Sequence, residues 1–152
     1  MPAWSRIPRV SATTGVGRVG QGLSGVARLH ARLHEDAAAL FRALDDETTM
    51  VYVPFARLMH EVDTHLRTDL TIGYRLFLRH PSEAIRRIAE SVLRDQEHFP
   101  VAYERFMERW RGSTEEQFRT AAFRDDLESL VSQLLKRIRV EERLVSMLSS
   151  VA

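Results

Sequence analysis

Two pairs of side chains in this sequence have the types and the spacing for chemistry. His65 and Asp69 stand four residues apart, as do Arg137 and Glu141, and each pair falls on the apolar stripe of a helical stretch. Residues at i and i+4 of a helix leave the same face, so each pair points where its leucine and valine neighbours point. A lone carboxylate in an apolar interior is costly unless it is protonated or paired. Two such acids facing one core need positive partners, and the planar fork of Arg137 can bridge two carboxylates. His65 completes the network in either charge state. Read this way, His65, Asp69, Arg137 and Glu141 are a buried polar layer that sets helix register, and no cofactor is expected. The alternative chemistry is a metal centre, because histidines and carboxylates on the inner faces of a helical bundle are how di-iron sites are built. Its ligands would come from His34, His65, Asp69, His98, Glu141 and Glu142. His34 and His98, however, project about 100° or more from the centres of their stripes. His30 and His60 read as flank or surface residues and His80 as a loop residue. Arg139, Glu142 and Arg143 read as a solvated face.

The elements that must position these residues are helices. One stripe runs through Val26, Leu29, Leu33, Ala37, Leu40 and Leu44, predicting a helix over 22–45. The acids Asp45, Asp46 and Glu47 disfavour a helix C-terminus and belong to the loop that follows. A second helix is predicted over 53–79 on Phe55, Leu58, Val62, Leu66, Ile72 and Leu76, with Pro54 in its first turn and His80-Pro81 as its stop. A third covers 82–111 on Ile85, Ile88, Val92, Phe99, Tyr103, Phe106 and Trp110; Pro100 should kink it near Phe99 and Gly112 end it. Ser113-Thr114-Glu115-Glu116 reads as a capping box. The fourth helix runs from there to about 150 through Leu127, Leu130, Leu134, Ile138, Val145 and Leu148, with a break expected around Thr120 to Phe123. Four long helices with short connections predict an all-α, antiparallel up-down-up-down four-helix bundle over 22–152.

Composition narrows the functions available. The 152 residues are 44% hydrophobic and 28% charged, which suits one globular domain. Cysteine is absent, so there is neither a disulfide framework nor a thiolate site, as in a reducing cytoplasm. The net charge of +1 gives no general bias toward nucleic acid. No apolar run reaches the roughly 18 residues of a membrane span. No Gly-rich loop follows a strand pattern, and no serine has a nucleophile-elbow setting. The chain is therefore expected not to be an enzyme. Residues 1–21 carry Arg6, Arg9 and Arg18 with no acid, and read as a flexible basic tail without the apolar core of a secretory signal.

The inner residues resemble two families. His65-x-x-x-Asp69 and Glu141-Glu142 are similar to parts of the hemerythrin pattern. The sequence departs from that pattern at Arg137, where a ligand histidine is expected, and at Ala102, where the third helix would carry another. Leu29-His30-Ala31-Arg32-Leu33-His34 resembles the L-H-x-R-x-H segment of the Rsd/AlgQ family of anti-sigma regulators. The stretch from Arg137 to Val145, followed by Met147-Leu148, resembles that family's closing R-F-x-x-E-D-x-L-I signature, and the family also has Arg in place of the histidine. His65-Leu66 is similar to the His-Phe pair of its second helix. The resemblance implies a cytoplasmic, monomeric or homodimeric regulator. It would capture the housekeeping sigma subunit of RNA polymerase by the domain that reads the −35 promoter element, with no direct contact to nucleic acid or membrane. Leu66 would stand at the family's aromatic contact. The acidic contact would fall at Met59, a departure that nearby Glu61 and Asp63 compensate. The alternative is a hemerythrin-like di-iron, oxygen-binding protein. A third reading is a helical scaffold for an unrelated partner.

Overall fold

The computed structural model describes residues 18–67 and 77–151, with the side chains of residues 25, 27–67, 77–91, 93–94, 98–143 and 145–146. The regular structure of these residues is helical: α1 (Arg18–Asp45), α2 (Tyr52–Arg67), α3 (Glu83–Trp110), a short α4 (Glu115–Phe118) and α5 (Ala121–Val151). No helix among the described residues is long and apolar enough to cross a membrane. The first helix begins at Arg18, four residues before the predicted boundary at 22. Ile72 and Leu76, expected on the second helix, lie outside the described residues, as does the segment 1–17.

The turn after α1 is built by the acids that end it. The Asp46 carboxylate accepts hydrogen bonds from the Thr48 backbone N–H at 3.0 Å and from the hydroxyls of Thr48 and Thr49 at 2.7 Å each. This is the local turn that short acidic side chains favour. The same bonds, with Arg119 nearby, lower the Asp46 carboxyl to about 2. The first turn of α2 has backbone donors with no helical partner, and a residue far along the chain supplies an acceptor. Glu115 takes the N–H groups of Val51 at 3.0 Å and Tyr52 at 2.9 Å. Arg119 donates to the carbonyls of Asp46 and Thr49, holding the turn from the same side.

The third helix runs unbroken through Pro100. It ends at Gly112, whose φ of +76° is the left-handed conformation that favours glycine after a helix. The capping box that follows lies one residue later than predicted. Thr114, not Ser113, is the cap: its hydroxyl accepts from Gln117 N–H, and the Gln117 side chain accepts from Thr114 N–H at 2.8 Å. The box opens only α4. The chain breaks at Arg119 and Thr120, and the Thr120 hydroxyl accepts from Phe123 N–H to start α5.

The first helix packs along α2, α3 along α5, and both α1 and α4 against α5. Every described residue of the α1 stripe is buried except Leu44, which is half-buried; Phe55, Leu58 and Val62 of α2, and Leu127, Leu130, Leu134 and Ile138 of α5, are buried. One end of this core is aromatic. Phe55, Phe106, Trp110, Phe118 and Phe123 lie in ring contact at 4.7–6.3 Å between centroids, many of them tilted or edge-on as ring quadrupoles prefer. Trp110 satisfies its indole N–H on Asp126 at 2.9 Å. The Tyr103 hydroxyl crosses to the Met59 carbonyl at 3.2 Å.

Because Glu115 serves two N–H groups at the start of α2, Glu115→Ala is expected to cost about 1–2 kcal/mol. Glu115→Gln should keep part of that, since its amide has one acceptor oxygen. Urea unfolding of the two variants beside wild type checks the order.

Candidate functional site

At the other end of the core the apolar stripe of α5 is interrupted by Arg137 and, one turn later, Glu141. Both are buried, Glu141 at 0% exposure. Its carboxylate is met from three helices. His30 of α1 brings Nε2 to 2.6 Å from Oε2. His65 of α2 brings Nε2 to 3.3 Å from Oε1. Arg137 donates its Nε–H to the same Oε1 at 3.2 Å. The two imidazole rings are 5.8 Å apart. An ionised carboxylate only accepts, so the short contact fixes the proton of His30 on Nε2.

The electrostatics follow from this geometry. Burial alone would push the Glu141 carboxyl up. Hydrogen bonds from His30 and His65, and the attraction of both rings, outweigh it and hold the group well below the usual carboxylate range. Arg137 adds a fixed positive charge, so one cation and one anion balance in the interior. Its guanidinium carbon also lies 5.5 Å from the centre of the Phe99 ring on α3, within cation–π range. All four long helices therefore touch this layer. The Nη1 of Arg137 is buried and has no hydrogen-bond partner.

Of the predicted layer, the structure brings together His65, Arg137 and Glu141; Asp69 lies outside the described residues. His30 is a correction. Expected on the flank of its helix or at the surface, it is 1% exposed and makes the shortest contact to Glu141. Counting α1 from its leucine stripe places His30 next to Leu29 and one turn before Leu33, a signal that the sequence contains. Glu142 is also less solvated than expected, with its side chain 25% exposed and Oε1 at 3.8 Å from His30 Nδ1. Burial raises its carboxyl; His30 lowers it and Glu141 raises it further. His34 is half-buried, does not join Glu141, and has its imidazole lowered by burial, then by His30 and Arg139. His98 and His60 are exposed. Of the expected partner contacts, Leu66 packs on the core and Asp63 pairs with Arg67 at 3.0 Å. Met59, where the resemblance would place an acidic contact, is buried.

The nitrogens of His30 and His65 and an oxygen of Glu141 lie within 4.8 Å of one another, the donor set of a two-histidine, one-carboxylate metal centre. Arg137 bears on the same carboxylate, so an added divalent ion would meet a fixed positive charge at close range. Comparison with family models, with curated proteins and with solved structures gives no match.

Removing one partner of a buried ion pair leaves the other uncompensated. Arg137→Ala is expected to cost about 3–5 kcal/mol, against much less for Arg139→Ala on the exposed face; thermal unfolding measures both. The acid side gives a second check. With its folded pKa depressed, Glu141 contributes stability that is complete above the ordinary carboxylate pKa and is lost as pH falls below about 5 toward the folded value. Glu141→Gln should therefore flatten the acid-side loss of stability, and an unchanged slope in denaturant titrations between pH 6 and 3 would contradict the assignment.

Proposed function

We propose that this chain is a non-enzymatic regulator that binds a protein, and that its partner is the housekeeping sigma subunit of RNA polymerase, held through the C-terminal promoter-recognition domain. In this reading the four long helices form an antiparallel up-down-up-down bundle and the protein acts in the cytoplasm. One observation carries it. His30, from the Leu29–His34 string, hydrogen-bonds Glu141, from the closing Arg137–Val145 string, at 2.6 Å across 111 positions of sequence. The two stretches that resemble the Rsd/AlgQ family thus belong to a single layer. Arg137 fills the place that a ligand histidine takes in hemerythrins. A guanidinium neutralises Glu141 without a metal, and the layer then serves to fix helix rotation so that the outer faces are presented rigidly.

A second reading rests on the donor set of His30, His65 and Glu141. These residues suit a divalent ion such as ferrous iron or zinc, which would supply Lewis acidity or oxygen chemistry when bound. The nearby Arg137 weighs against it.

Calorimetry of the full chain with purified sigma and with its C-terminal domain tests the first reading. A 1:1 complex that weakens as salt rises is expected; no binding at low salt would sink it. Anaerobic titration with ferrous iron tests the second. Wild type is expected to retain no stoichiometric metal, whereas Arg137→His, which replaces the cation with a third imidazole, should gain affinity. Stoichiometric iron in wild type would put the metal reading first.

A further inference from the structure

Three of the exposed large apolar side chains among the described residues stand within four positions at the start of α2: Met50 at 61%, Tyr52 at 55% and Val53 at 47% exposure. They do not stand on a loose loop. Asp46 organises the turn, Arg119 holds its carbonyls, and Glu115 caps the helix at Tyr52. Apolar groups presented to water on a fixed frame are a feature of interaction surfaces.

Tyr52 and Val53 open into a groove of about 630 Å³ between α1 and α2. Its lining continues along α2 through Ala56 and His60, and its far end holds two acids, Asp36 of α1 and Glu61 of α2. These acids are only partly offset inside the chain. Burial raises the Asp36 carboxyl first, Glu61 and Glu35 raise it further, and Arg57 and Arg32 lower it. The Oε2 of Glu61 is buried without a hydrogen-bond partner. Arg32 and Arg57 line the same groove, yet among the described residues neither closes an ion pair with Asp36 or Glu61. An apolar end and an acidic end are thus separated by the eight helical steps from Val53 to Glu61, about 12 Å or two helical turns.

We propose that this groove is the docking site for an amphipathic helix of a partner protein. The helix seats apolar side chains on Tyr52, Val53 and Ala56 and places an arginine or lysine, about two turns further on, between Asp36 and Glu61. This rests on the reading of the chain as a protein-binding regulator and names the chemistry of the segment it takes. It is the helix-in-groove mode, with apolar anchors at one-turn spacing and one charge that sets direction. The partner's cation gives Glu61 the donor it lacks and separates two like charges. Arg32 and Arg57 at the rim then reject a helix that carries an acid at the wrong turn.

The test uses the full-length chain, isotopically labelled, with two probes: the purified C-terminal domain of sigma, and a synthetic helix carrying two leucines one turn apart and an arginine two turns later. A second synthetic helix with glutamate in place of that arginine serves as control. Both probes are expected to shift the amides of Asp36 and of Val53 to Glu61, and the control to shift neither. Val53→Asp, an exposed first-turn position where an acid favours the helix, should weaken binding by about tenfold or more. Asp36→Asn/Glu61→Gln should do the same, while Val101→Asp on the exposed face of α3 should leave it unchanged. If sigma fails to bind but the arginine helix seats in the groove, the docking site stands and the sigma reading falls. If sigma binds all variants equally and shifts other amides, the groove is wrong and the sigma reading stands. Groove amides that move on dilution, or on deletion of residues 1–17, would overturn the proposal in favour of a second copy or of the chain's own N-terminal segment. Binding of the glutamate helix as tightly as the arginine helix would overturn it too.

Discussion

The carboxylate of Glu141 governs this molecule. It has no contact with water and stays ionised because His30, His65 and Arg137 reach it from three helices. The contacts from His30 and His65 come from other helices, so they bear on the rotation of α1 and α2 against α5, whereas Arg137 holds the carboxylate from within α5. Leucine stripes allow two helices to slide by part of a turn at small cost, whereas a hydrogen bond at 2.6 Å does not. A buried layer of this kind is weak evidence for net stability. An apolar replacement of the whole set would satisfy the energetics, but replacement of one member would not.

The same layer separates two roles that side chains of these types can play. Two imidazoles and a carboxylate gathered within 4.8 Å are a metal donor set. With a guanidinium on the same carboxylate they become an internal ion pair. Arg137 adds a fixed positive charge at that carboxylate, and its place over Phe99 packs it into the core.

How much of this was legible in the sequence depended on the range of the interactions involved. The helices were readable because leucine and phenylalanine periodicity is a local property, and the glycine stop at Gly112 and the break near Thr120 are local as well. Arg137 and Glu141 were readable as inner residues because the α5 stripe around them is long and regular. His30 was missed because Arg28 and Arg32 lie close to it on α1 and drew it to the flank, although Leu29 and Leu33 mark its side of the helix as inner. Glu141, 111 residues away, meets it there. The cap at Glu115 was invisible for the same reason: its hydrogen bonds go to Val51 and Tyr52, on a different helix. The capping box slipped by one residue because Ser113 and Thr114 both suit the role, and the choice between them is made by Gln117.

The Glu115 contact has a mechanical consequence. Tyr52 presents its ring to the groove and its backbone N–H to the Glu115 carboxylate, while Glu115 begins the four-residue helix whose Phe118 is sealed in the aromatic end of the core. One peptide group therefore joins the tyrosine to the connection between α3 and α5 that lies beside it. The connection between α3 and α5 thus braces the corner between α1 and α2 through Glu115 and Arg119.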